Sequence, residues 1–112
     1  MSDAVFPSAS EAFEKVRSII LKEGNPVYGT DNFLRVEVLM FALAEAETRV
    51  VHFRGNEYLI VATALSSDDK SLMVIYQAQY EEGIVWVRRL DEFFSIIDDG
   101  RIPSVPRFKV KE

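Results

Sequence analysis

LMVIYQAQYEEGIVWVRR, residues 72–89, is the stretch whose reading decides the fold. It holds two apolar-rich, β-favouring segments separated by Glu81-Glu82-Gly83. That is the pattern of a β-hairpin with a three-residue loop whose glycine takes positive φ. A loop of that length pairs Tyr80 with Ile84, Ala78 with Trp86 and Tyr76 with Arg88 on one face. Gln79 with Val85, Gln77 with Val87 and Ile75 with Arg89 then occupy the other. An aromatic and arginine cluster is expected on one side of the hairpin.

Working outward, the period of two continues upstream. Val50–Arg54 and Glu57–Leu65 flank Gly55-Asn56, read as a two-residue turn that sets Arg54 against Glu57, Phe53 against Tyr58 and His52 against Leu59. Ser66-Ser67-Asp68-Asp69-Lys70 is a polar loop between the hairpins. Strands 57–65 and 72–80 are apolar on both faces, so the sheet needs cover on both sides. Curling into a small barrel, or packing helices on one face, would supply it. Downstream, Leu90–Ile97 reads as a short helix and Asp98-Asp99-Gly100 as a turn. Pro103 and Pro106 lead into a last strand, Arg107–Lys111, which they confine to an edge.

At the N-terminus, Ser8 and Glu11 have capping-box spacing before Phe13, Val16 and Ile20, and Gly24-Asn25-Pro26 is a stop. A helix is expected over 9–23. In the next segment Leu34, Val36 and Val38 alternate with Arg35 and Glu37 as a strand would, but the continuation LMFALAEAE favours a helix over 32–47. Thr30 or Asp31 supplies its N-cap. This helix is apolar around most of its circumference and needs cover on several sides. Either the sheet wraps it as a central helix, or Phe33–Ala44 meets a second copy in a homodimer. The expected fold class is α+β, one domain over 1–112. A helical pair (1–49) precedes a five-stranded antiparallel, barrel-like β meander (50–112).

Composition bounds the function. The chain has 112 residues, 48% hydrophobic and 28% charged, as ordinary globular domains have. A net charge of -5 argues against bulk-charge binding of nucleic acid and against an anionic membrane surface. With no cysteine there is no disulfide framework, thiolate nucleophile or thiolate metal site. No apolar run approaches the roughly 20 residues of a membrane span, and no secretory leader is recognised, so a cytoplasmic location is expected.

Candidate chemistry is sparse. His52, the single histidine, makes a poor metal site alone; as a general base it needs a carboxylate partner. No G-x-S-x-G elbow and no phosphate-cradling glycine loop occurs, so no metal, cofactor or catalytic triad is expected. Asp68-Asp69, Glu81-Glu82 and Asp98-Asp99 are adjacent in sequence and point apart on an extended chain, as in solvated turns. Arg107, Lys109 and Lys111 alternate, and with Arg88 and Arg89 suggest a basic stripe beside Trp86, Tyr76 and Tyr80. Aromatic-floored basic grooves hold single-stranded nucleic acid, although charge on an edge strand is more often a guard against aggregation. Arg88 is singled out. It should lay its stem on aromatic surface and give its head to a carboxylate or carbonyl as a structural bridge, or else to an anionic ligand or a partner's carboxylate.

The order of motifs resembles a known family. His52-Phe53-Arg54-Gly55-Asn56-x-Tyr58-x-x-Val61 is followed by Val74-Ile75-Tyr76-Gln77-Ala78-x-Tyr80 and Gly83-x-x-Trp86-Val87-Arg88. Phe93-Phe94 and Pro106-Arg107-Phe108 complete it. Over about 50–110 this resembles the small bacterial domain-of-unknown-function family 1653. Arg89 stands where that family tends to have proline, and the loop near Ala64–Asp69 lacks its histidine and glutamate. The resemblance implies a small β-rich domain without an assigned activity.

The reading that results is a non-enzymatic binding or interaction module, with Tyr76, Trp86, Arg88 and Arg107 as ligand-binding candidates. A small anion or a protein is the expected partner. The alternatives are a small-barrel nucleic-acid binder using Tyr76, Trp86, Arg88, Arg107 and Lys109, and, last, a hydrolase or isomerase built on His52.

Overall fold

The computed structural model describes residues 8–100 and 103–111. Two helices open it, α1 (Ala9–Glu23) and α2 (Asp31–Glu45). In α1 the capping box forms as the spacing predicts, with reciprocal bonds of 3.1 Å between Ser8 and Glu11, and Gly24 ends the helix at φ 76°. Thr30 caps α2 through Phe33 N–H. The strands are β1 (Arg49–His52), β2 (Glu57–Leu65), β3 (Leu72–Ala78) and β4 (Val85–Arg89). A one-turn α3 (Leu90–Phe93), a small β5 (Ile96–Ile97) and β6 (Val105–Pro106) pair, and β7 (Phe108–Val110) follow. Among the described residues no helix is long and apolar enough to cross a membrane.

The fold is α+β, two helices followed by a five-stranded antiparallel sheet in the order β4-β3-β2-β1-β7. The sheet is open, not a barrel. The last strand returns beside β1, as the prolines allow for an edge, and β4 is left as the other edge. The helices pack on one face, where Phe13, Val16, Phe33, Val36, Met40 and Leu43 meet Val50, Ile60, Val74, Tyr76, Phe93 and Phe108. The sheet does not wrap α2: Leu34, Val38 and Phe41 remain exposed on its outer side. The opposite sheet face is uncovered, with Val61, Val85 and Val87 exposed.

Both hairpins differ from the expected register. In the second, Tyr76 lies opposite Trp86 and Val74 opposite Arg88, so Tyr76 and Arg88 are diagonal neighbours. The loop is residues 79–83, closed by Ala78 N–H to the Ile84 carbonyl at 2.9 Å. Glu81 and Gly83 both take positive φ, 50° and 70°. The longer loop frees Tyr80 to join its hydroxyl to that of Tyr58 at 2.7 Å. The slip is two residues, so every side chain keeps its face. In the first hairpin Val50 lies opposite Tyr58 and Val51 opposite Glu57. Phe53 and Arg54 belong to the turn, because Phe53 N–H is taken by the Arg107 carbonyl at 2.9 Å. Glu57 therefore pairs with Lys111 at 2.9 Å instead of Arg54. Leu90–Ile97 is also not one helix: α3 stops at Phe93, and Ile96 and Ile97 pair with Pro106 and Val105.

A bulge interrupts the β2–β3 ladder. Ile60 pairs with Tyr76, but Ala62 pairs with the preceding residue, Ile75, leaving Val61 as the extra residue.

Candidate functional site

The face of the sheet that carries the core is covered by the helices over Ile60, Leu72 and Val74, while towards the hairpin tips it opens into a hollow of about 160 Å³. His52, Tyr58, Tyr76, Trp86, Arg88 and Phe108 line it, contributed by β1, β2, β3, β4 and β7. Its back is rigid. Phe93 stacks on Phe108 with ring centres 4.2 Å apart, and Tyr76 stands edge-on to Phe93, Phe108 and Tyr58 at 5.3–5.5 Å. A second hollow of about 110 Å³ shares Trp86 and runs under the hairpin loop. Trp86 is thus a ridge between two concavities, and it is 48% exposed.

Arg88 donates through Nε to the Tyr76 hydroxyl at 3.2 Å. No ion pair engages it among the described residues, so the carboxylate or carbonyl expected for its head is not its partner. Tyr76 is buried at 4% exposure and holds Arg88 through Nε, and among the described residues the terminal nitrogens take no hydrogen bond. Trp86 and Arg88 do share a face, as expected, alternating along β4 on the side of Tyr76 and Val74.

Arg107 stands beside the hollow and does not line it. Its Nε donates to the Glu92 carbonyl at 3.0 Å and to Ser95 Oγ at 3.1 Å. Burial and then Arg88 lower its guanidinium pKa from the ordinary value. The His52 imidazole is likewise pushed down, first by burial and then by Arg107, Arg54 and Arg88. Its Nδ1 accepts the Arg54 N–H at 3.2 Å, which leaves Nε2 to carry the proton of the neutral ring. The ring lies against Phe53, Phe108 and Tyr58. Neither the carboxylate nor the serine that a general base would need is bonded to it among the described residues. The Tyr58 hydroxyl is pushed up to about 12 by burial and then by its bond to Tyr80, so it stays a neutral donor or acceptor.

The basic stripe expected from sequence is broken up. Arg89 points to the other face and meets Asp91 at 3.2 Å and Asp69 at 3.4 Å, while Lys111 is held by Glu57. Arg88 and Arg107 remain together with the aromatics. His52 and Tyr58 were not grouped with them by the sequence because the first hairpin was set in the wrong register, and Phe108 because the last strand was read with its basic face, not its apolar one, beside Trp86.

The geometry defines a small α+β domain with an aromatic, guanidinium-bearing hollow at one end of its sheet. The family model described as a protein of unknown function, DUF1653, matches residues 48–110, and the chain belongs to that family. No curated protein matches the sequence. Among solved structures, a DUF1653 protein from Bordetella bronchiseptica is similar, at 24% identity and a TM-score of 0.48, over 55% of this chain and 80% of that one.

Proposed function

We propose that this domain is a binding module for a small organic anion, held in the hollow between Trp86 and Phe108. The observation that carries the reading is Arg88: it faces a concavity, its charge meets no carboxylate among the described residues, and the neighbouring charges, Arg107 and Arg54, are also cationic. Like charges gathered around a partly desolvated space favour an anion that neutralises them. A planar guanidinium suits a carboxylate or phosphate taken through two nitrogens. His52 Nε2–H and the Tyr58 and Tyr80 hydroxyls supply further polar contacts, and the exposed Trp86 ring offers a flat apolar surface. The module needs no catalysis. For single-stranded nucleic acid the support is weaker, since Arg89 and Lys111 are engaged by carboxylates and leave no continuous basic track.

Trp86 is the single tryptophan of the chain, so its fluorescence reports on the site alone. Titration with inorganic phosphate, succinate and benzoate should give a saturable change for at least one of them, strongest where an aromatic body accompanies the charge. Arg88→Gln should weaken it about tenfold. A flat titration with all three, or one unaltered in Arg88→Gln, overturns the reading.

A further inference from the structure

The outer side of α2 carries a knob and a hole on one stripe. Leu34, Val38 and Phe41 are 56%, 65% and 63% exposed, while Phe33, Val36, Met40 and Leu43 are buried. Helical spacing places Leu34, Val38, Phe41, Ala42 and Glu45 on one side, with Arg35 along its edge. Against the N-terminal half of that stripe lies an apolar groove of about 310 Å³, lined by Lys15 of α1 and by Leu34, Arg35, Val38 and Leu39. Phe41 stands on the next turn, outside the groove. A groove and a projecting ring displaced along one helix are the two halves of an isologous contact, in which each copy supplies both.

We propose that this face is a homodimer interface: two α2 helices cross antiparallel about a two-fold axis between Val38 and Phe41, and each Phe41 enters the other copy's groove. Charge fits the same arrangement. Glu45 follows Phe41 by one turn on the stripe, and reversal of the second helix carries it towards Arg35 and Lys15 at the groove's rim. Acid meets base twice in each dimer, which fixes the antiparallel sense. Burying three large apolar side chains per copy removes the patch that a monomer would leave in water. The proposal is independent of the anion site, which lies at the hairpin tips of the sheet.

Sedimentation velocity of the full chain, from about 1 µM to about 1 mM, tests it. The expected result is a reversible dimer. Phe41→Asp should weaken it by about tenfold or more, with the circular-dichroism spectrum of the wild type, because Phe41 lies outside the core. Arg35→Glu and Glu45→Arg should each weaken association, and the two together should restore it. That exchange carries the test if Phe41→Asp loses helicity. Val87→Asp, on the uncovered sheet face, should leave the dimer intact. A wild type monomeric throughout overturns the proposal, as does a dimer indifferent to Phe41→Asp, one lost in Val87→Asp, or a charge exchange no better than either single change.

Discussion

Arg88 and Arg89 are consecutive on β4 and face opposite sides of the sheet, and their surroundings are opposites too. On the outer side Arg89 is ringed by Asp69, Asp91 and Ser71, its head engaged through three nitrogens. On the inner side the partner of Arg88 among the described residues is neutral, the Tyr76 hydroxyl, and its charged neighbours are cationic. Both arginines are partly buried, yet among the described residues the acidic cage is built around Arg89 alone. A partly buried charge left without a carboxylate is the costlier arrangement. The difference teaches that the two residues serve different ends: Arg89 ties β4 to the loop before β3, and Arg88 is kept open.

The contrast can be broken most severely from behind. Phe93 is fully buried and forms the wall on which Phe108 and Tyr76 rest. Phe93→Ala should cost about 3–5 kcal/mol in urea unfolding and abolish anion binding at the same time. If binding survives that loss, the aromatic wall does not shape the hollow.

The register that sends Arg88 inward and Arg89 outward is the next point of attack. A Cβ on Gly83 would sit 3.2 Å from Gln77 Nε2, at a φ of 70°. That amide donates to the Gly83 carbonyl at 2.9 Å. Gly83→Ala should therefore destabilise by about 1 kcal/mol or more. Its β3–β4 cross-strand contacts, followed by nuclear Overhauser effects, should keep Tyr76 opposite Trp86. A slip of one residue would exchange the environments of the two arginines.

Substituting the arginines themselves sharpens the comparison. Arg88→Gln should leave unfolding within about 1 kcal/mol of wild type, the worth of one hydrogen bond, yet weaken anion binding about tenfold, or about 1.4 kcal/mol. Arg89→Gln should do neither to the site: its affinity should match wild type. Equal losses of affinity in the two would erase the distinction.

The smallest effect is read at His52. Its folded pKa lies below the unfolded 6.5, so the stability it contributes is present above about pH 6.5 and is lost as pH falls through the folded value. Proton titration by NMR should place its midpoint below 6.5. Arg88→Gln should raise it, and saturating phosphate should raise it further in the wild type, since a bound anion favours the imidazolium. A midpoint unmoved by both would mean that burial alone sets it.

Local signals were legible where local chemistry decides. The Ser8–Glu11 capping box, the Gly24 stop and the alternation along β3 each fix their element by themselves. Loop lengths were not, because distant groups choose them. Tyr80 is drawn out of β3 by Tyr58, and Phe53 out of β1 by the Arg107 carbonyl. The second hairpin slipped by an even number, so Tyr76, Trp86 and Arg88 were grouped correctly despite the wrong pairing. The first slipped by an odd number, which hid His52 and Tyr58 from the site. Arg107 was placed in the site by the proximity of a basic strand, but the Glu92 carbonyl and Ser95 hold it to one side. The exposed side of α2 follows from its apolar circumference, which one sheet face and one helix cannot enclose.

The bulge in β2 makes the length of that strand unequal in its parts. Val61 is supernumerary: with it gone, Ile60 opposite Tyr76 and Ala62 opposite Ile75 would become successive rungs, and no other side chain would change sides. Loss of Leu59 instead would turn Tyr58 from the hollow to the bare face. Relatives that differ by one residue in this strand can therefore share the same wall around the hollow, provided that the gap falls at Val61.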